Sequence, residues 1–338
     1  MKTHEKINFS IIILSIVLLI SLLNSCTENE WEKKEKEEMQ RIDYYLSQLR
    51  TRLTPDQQII EVKVNELDAK MYIVKLAEEN PDGISPQTND FMILSYSGRN
   101  INEEIRETTY SSESQYWYEY KNNPYYFRNY LFVPKKIPFG KSFPGINIGL
   151  SRIKEGDSCI FIIPSKLAFY DKDFTTLVYY IKLHKVIRNI KEYDSLQMVF
   201  FKDSLKINSS NFILSDNVFY KEIVYGDSTQ NLLDADSVVI QMTASYMQDN
   251  ELIDFINNKE ITLPLGSTKN YWIDKEIPVT TGLASVLDTL KIGTKAIVLV
   301  PYNKAYGENG LFSYLGFLIV PQYTSIVYNL NVKNKVKK

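Results

Sequence analysis

The chain has 338 residues and a formal net charge of -2, from 39 Lys and Arg against 41 Asp and Glu. That length suits about two domains of ordinary size, and near-neutral, interspersed charge excludes the basic stripe a nucleic-acid partner needs. Two Cys exclude a disulfide framework and two His argue against a His-dependent nucleophile or a His-rich zinc site, so no cofactor or metal is expected; 24 Tyr and 44% hydrophobic residues favour sheet-rich domains with real cores.

Lys2, His4 and Lys6 precede an apolar, uncharged run from Phe9 to Leu23, and Asn24-Ser25-Cys26 follows at once. The run is slightly short for a plain membrane helix. With the small residue and Cys at its end it resembles the lipobox of bacterial lipoproteins, which implies a signal peptide over 1–26 and membrane anchoring through a lipidated Cys26. Thr27 replaces the Asp that resembles an inner-membrane retention signal, so the expected location is the cell envelope, with the outer membrane favoured. Glu28 and Glu30 resemble some surface-export tags, and the sequence is compatible with either a periplasmic or a surface face.

Residues 27–53 read as a charged amphipathic helix. Met39, Ile42, Leu46 and Leu49 recur at three- and four-residue spacing, a stripe suited to packing on the domain that follows. From about Asp68 the period changes to two, with strand-like runs at Met71 to Val74 and Phe91 to Tyr96. A polar, aromatic insertion over 116–130 holds Trp117 and Tyr126 among many Tyr. It either covers the sheet or offers a contact surface for a protein or glycan partner. In the strand Val178 to Val186, His184 falls opposite Tyr179, Ile181 and Leu183 and reads as solvated. Cys159 lies in an apolar run and reads as a small buried hydrophobe. Asp194 to Lys206 could repeat the leading helix, and strands follow at Phe219 to Tyr225 and Val238 to Thr243.

The chain also repeats itself. Pro144-Gly145-Ile146, Gly149-Leu150, Ile153-Lys154, Gly156, Pro164 and Ala168-Phe169 recur as Thr281-Gly282-Leu283, Val286-Leu287, Leu290-Lys291, Gly293, Pro301 and Ala305-Tyr306, each 137 residues later (144 to 281, 169 to 306). A repeat of this length sets the architecture as two homologous domains, over 54–190 and 191–338. Each block reads as a short helix closed by a Gly cap, an apolar strand ended by Pro, a loop and a last strand. That is an α+β plan, an antiparallel sheet wrapped on a helix.

These blocks resemble the second half of FKBP-type peptidyl-prolyl isomerases, which reads Val-Ile-x-Gly-Trp, Leu-x-x-Met-x-x-Gly, an apolar strand ending in Pro, Ala-Tyr-Gly and Leu-Val-Phe-x-Val. More weakly, Asp90 to Gly98 and Asp236 to Ala244 resemble the strand ending His-Tyr-Thr-Gly. The resemblance implies two tandem domains, each a sheet of about five strands curved around a short helix with a shallow apolar pocket for a prolyl side chain. It implies binding of proline-containing polypeptides without a nucleophile: the X–Pro amide has a barrier of roughly 20 kcal/mol, and an apolar pocket favours its twisted, less polar state.

Carried over position by position, the resemblance places Tyr96, Glu107, Ile146, Phe169 and Tyr179 around a substrate pocket in the first copy. It places Tyr306, Asp254, Leu283 and Tyr328 as the catalytic set of the second. The pocket-floor Trp of the family is Ile146 and Leu283 here, Phe169 lacks the hydroxyl that Tyr306 keeps, and Met242 replaces the first-half Tyr. Activity is therefore expected to rest more on the second copy. The alternative is a catalytically inactive binding module.

Overall fold

The structure is a computed structural model. It describes residues 29–77, 82–116, 131–171, 173–207, 213–214, 217–228, 232, 237–265, 272–274, 277–287, 289–314 and 316–336. The signal segment with Cys26 and residues 117–130 of the aromatic insertion lie outside the described residues.

Two antiparallel sheets share one strand order. The first contains β1 (Gln58–Val64), β2 (Ala69–Lys75), β3 (Phe91–Asn100), β4 (Ile105–Thr108), β5 (Lys135–Pro138), β6 (Ser158–Ile163) and β7 (Leu177–Ile187), arranged β1-β2-β6-β7-β3-β4 with β5 also on β3. The second contains β8 (Ile213–Leu214), β9 (Val218–Val224), β10 (Ser237–Gln248), β11 (Glu251–Pro264), β14 (Lys295–Val300) and β17 (Ile326–Val336), arranged β8-β9-β14-β17-β10-β11. Element for element the orders coincide, so the sequence repeat is a repeat of topology. The sheets have seven and six strands among the described residues, rather than about five. Two short ladders complete the second copy, β12 (Trp272–Asp274) with β13 (Ile277–Pro278) and β15 (Leu311–Phe312) with β16 (Leu318–Val320).

The short helices α2 (Pro144–Leu150) and α4 (Thr281–Leu287) fall 137 residues apart at both ends, as do β6 and β14. Each helix presses on its strand through a glycine. A Cβ at Gly145 would lie 2.3 Å from Ile163 Cγ2, and one at Gly282 would lie 2.4 Å from Val300 Cγ1. The glycines expected to cap these helices do not do so. Gly156 and Gly293 lie six residues past the helix ends, at φ +96 and +84, in the turns that enter β6 and β14. Behind the helices lie two cores, one holding Met71, Ile146, Cys159 and Phe161 and the other Val238, Leu283, Val298 and Tyr328.

A long helix covers the outer face of each sheet. Asn29 caps α1 (Glu30–Arg50) by accepting from Trp31 N, and Asn189 caps α3 (Ile190–Ser204) by accepting from Glu192 N. From α1, Ile42, Leu46 and Leu49 pack on Ile160, Ile162 and Val178; from α3, Met198 and Phe201 pack on Ile297, Leu299 and Val327. These are the same sheet positions in the two copies, so the repeat includes its covering helix. Each helix is also pinned by a buried acid. Glu38 accepts from Ser165 N, Ser165 Oγ and Thr176 Oγ1, each at 2.7 Å. Asp194 accepts from Ser325 N at 2.8 Å and Ser325 Oγ at 2.6 Å. Thr176 and Ser325 are equivalent, each the residue before the last strand of its sheet.

The halves are joined by side chains. Lys136 on β5 donates to the Tyr323 carbonyl at 3.2 Å, and the Phe91 and Tyr323 rings meet edge-on at 5.8 Å. Ile105, Leu131, Phe132 and Val133 from the first half pack against the second core. His184 is exposed, with a ring nitrogen 2.8 Å from Ser95 Oγ.

Candidate functional site

In the first half the matched residues converge under the edge of β3. Tyr96 and Gly98 lie on its inner face, opposite Ile181 and Tyr179 of β7. Gly98 is required there: a Cβ would come within 2.8 Å of the Tyr179 ring and 3.0 Å of Glu107 Cγ. The space it leaves lets Tyr179 Oη donate to Glu107 Oε1 at 2.5 Å. Burial pushes the Glu107 carboxyl above its usual range, against the opposing effect of the Tyr179 and Tyr96 hydroxyls. Burial, reinforced by Glu107, also raises both Tyr hydroxyls, which keeps them as neutral donors.

The wall is aromatic. Tyr96 and Tyr179 stand 6.2 Å apart by ring centroid, Phe143 and Tyr179 5.8 Å, and Phe143 and Phe169 5.3 Å. Ile146, on the first turn of α2, is 6% exposed, whereas Phe169 at the rim is 71% exposed. Phe143 was not singled out from the sequence, although it directly precedes the repeated block. The arrangement offers an apolar floor, aromatic sides and one open edge.

The second half closes the same place. Leu283 and Tyr328 have no exposed surface. Thr280, which occupies the position of Phe143, lies 3.1 Å from Tyr328 Oη and also accepts from Leu283 N at 3.2 Å. Tyr306 Oη donates to the Pro278 carbonyl at 3.0 Å, and its ring meets Phe255 edge-on at 6.3 Å. Burial raises the Tyr306 hydroxyl far above its ordinary value, with the Tyr328 hydroxyl adding to the effect. The structure places Leu283 and Tyr328 in the core of the second half, with the partly buried Tyr306 packed against it and bonded to the Pro278 carbonyl.

Asp254 lies on the face of the ladder away from the core. It pairs with Ser245 across the ladder and accepts from Ser245 Oγ at 2.6 Å. Directly paired residues share a face, and Ser245 alternates with the inward-facing Ala244 and Tyr246. Register shifts between Met242 and Ser245 turn the ladder here, and the neighbour Phe255 enters the core instead.

No family model matches the chain. Solved structures do overlap it. The three FKBP domains of wheat FKBP73 align at 14% identity, covering 79% of this chain and 95% of that one, with a TM-score of 0.29. A peptidyl-prolyl cis-trans isomerase from Pseudomonas syringae aligns at 16% identity over 43% of this chain and 95% of its own, with a TM-score of 0.32. FkpA from Escherichia coli aligns at 18% identity over 52% and 71%, with a TM-score of 0.31. Both halves share one α+β plan, an antiparallel sheet enclosing a short helix. Overlaps this loose carry no statement about chemistry; the fold rests on the repeated strand order and the helix each sheet encloses. Between the two copies, the more open site is the first, where Phe169 is 71% exposed and its counterpart Tyr306 is partly buried.

Proposed function

We propose that this chain is a lipid-anchored protein of the bacterial cell envelope, held in the outer membrane by Cys26. Its first FKBP-like domain, ending near residue 190, binds X–Pro segments of extracytoplasmic polypeptides and speeds their cis/trans exchange as a folding helper. The observation that supports this most is the contrast between the copies. Tyr96, Phe143, Phe169 and Tyr179 wall a site over Ile146 whose rim residue Phe169 is 71% exposed, while in the second copy Met242, Thr280, Tyr328 and Leu283 are buried and the hydroxyl of the partly buried Tyr306 is bonded to the Pro278 carbonyl. Such a wall removes water from the X–Pro amide and lowers the polarity around it, which favours the twisted state. Phe169 supports a second reading, a binding module without catalysis, because it has no hydroxyl to donate to a substrate carbonyl.

Exchange NMR on a short Phe-Pro peptide with the soluble chain from Thr27 separates the readings. Acceleration is expected, falling about 10-fold in Phe169→Ala, rising in Phe169→Tyr and unchanged in Tyr306→Phe, with 10-fold equal to about 1.4 kcal/mol of barrier. Peptide-induced shifts at Tyr96 and Tyr179 without acceleration would establish the binding module instead. Neither shifts nor acceleration would overturn both. For the anchor, Cys26→Ser is expected to abolish incorporation of labelled palmitate and leave the chain at its precursor mass; labelling that persists would exclude Cys26 as the attachment point.

A further inference from the structure

The second copy is longer than the first in one place. Between the repeated Pro and the last strand, equivalent positions drift from 137 residues apart (164 to 301) to 149 (177 to 326). The added length includes the β15–β16 hairpin. In the second copy's own closed core this hairpin places Leu311 and Ile319, but Phe312 points out and is 51% exposed.

Phe312 faces a cleft of about 1200 Å³ between the two halves. One side of the cleft is made by Tyr96, Glu107 and Phe139 of the first half, and the other by Phe312, Phe317 and Tyr323 of the second. Tyr96 and Glu107 belong to the prolyl site already described, so pocket and cleft share these two lining residues. The volume exceeds the roughly 300–1,000 Å³ of ordinary small-molecule sites, and a single prolyl ring fills a small part of it. Its lining mixes aromatic rings with Thr88, Asn89, Asn309 and Gln322, a combination suited to an extended chain that presents both side chains and backbone amides. The two sides are held at a fixed spacing, because the Lys136 bond to the Tyr323 carbonyl and the Phe91–Tyr323 contact join them at the cleft itself.

We infer that this cleft is the extended part of the first domain's peptide site, and that the β15–β16 hairpin of the second domain reads an apolar side chain flanking the proline. The inference rests on the prolyl-peptide reading of the first domain. It gives the closed second copy a task in recognition: it supplies the far wall, and Phe312 sets the preference for what flanks the Pro.

The test compares two probes on the full chain in detergent by fluorescence anisotropy. One is a blocked Phe-Pro tetrapeptide. The other is a peptide of about twelve residues with the same centre and Leu in both flanks, together with its Ser-flanked version. The Leu-flanked peptide is expected to bind about 10-fold tighter than the tetrapeptide and the Ser-flanked version. Phe312→Ala and Phe312→Asp are expected to remove that gain and leave tetrapeptide affinity unchanged; because Phe312 is exposed, neither should disturb folding. Equal affinity for all three probes, or a Leu-flank gain that survives both variants, would overturn the inference while leaving the prolyl site standing. A tetrapeptide that fails to bind, beside a long peptide that binds through Phe312, would overturn the prolyl reading and keep the cleft. No binding by any probe would overturn both.

Discussion

Asp194→Ala is expected to lower the free energy of unfolding by about 3–5 kcal/mol, because hydrogen bonds to a carboxylate contribute about 1.5–3 kcal/mol each and Asp194 takes two, from Ser325 N and Ser325 Oγ. Asp194 is 3% exposed and Lys136 is 2% exposed. Without the carboxylate, Ser325 N and Oγ lose their acceptor, α3 loses its pin to the second sheet, and Lys136 loses the charge that opposes its downward shift. The pH dependence has a definite sign. Burial pushes Lys136 down to about 8, with Asp194 opposing the shift, and burial alone pushes Lys135 down to about 7. An unfolded Lys holds its proton to about 10.4. Between about 8 and 10.4 the unfolded chain therefore binds a proton that native Lys136 has released, so stability rises with pH across that window and is flat below it. Lys135 adds a rise of the same sign starting near 7. Asp194 acts on the acid side: burial raises its carboxyl, so stability falls as pH climbs from the unfolded value of about 3.9 through the folded one. In Asp194→Ala the force opposing the Lys136 shift is gone, and the alkaline rise should begin at lower pH. Urea midpoints from pH 6 to 10 measure this, and adding Lys136→Met should remove the Lys136 part of the alkaline rise without restoring the Ser325 bonds. A single variant as stable as the parent would show that the Asp194 bonds to Ser325 do not hold α3 to the second sheet.

The repeat was legible because helix, turn and strand spacings are local properties. From Pro144 to Phe169 and from Thr281 to Tyr306 the copies keep step, and the folded elements begin and end at equivalent residues. The leading helix was legible from its stripe. Its second copy was only half so, because α3 begins at Ile190, buries Asp194 and Gln197 and leaves Leu196, Val199 and Phe200 exposed, so no single apolar stripe marks its inner face. What the sequence concealed is nonlocal. Whether the second pocket is open depends on Thr280 reaching Tyr328 and on Pro278 taking the Tyr306 hydroxyl, contacts that no spacing announces. The face of Asp254 was hidden for another reason. A strand has period two, so a bulge between Met242 and Ser245 exchanges the faces of Asp254 and Phe255. The Tyr179–Glu107 bond was accessible only as a pair of matched positions. Its closeness depends on Gly98, whose role appears once β3, β4 and β7 are side by side.

Glu38→Ala should have a comparable effect at the other end of the molecule, a loss of about 4 kcal/mol. Hydrogen bonds to a charged acceptor contribute about 1.5–3 kcal/mol each, and the donors left behind are buried and unpaired. Glu38 is 1% exposed and takes three such bonds, from Ser165 N, Ser165 Oγ and Thr176 Oγ1. Glu38→Gln keeps one carbonyl acceptor and should lose about half as much. Location distinguishes this clamp from the Asp194 one. Glu38 joins α1 to the first sheet only, so its loss should raise hydrogen exchange in α1 and in the Pro164 to Thr176 segment while β14 and β17 stay protected. Asp194→Ala should give the reverse pattern, at α3 and the start of β17. Exchange that spreads evenly over both sheets in Glu38→Ala would mean the copies unfold as one unit. If the anchor is Cys26, α1 is also the element through which any pull from the membrane reaches the first sheet. The buried carboxylate would then stand between the lipid and the peptide site, holding the α1 side of the first sheet in place when that pull is applied.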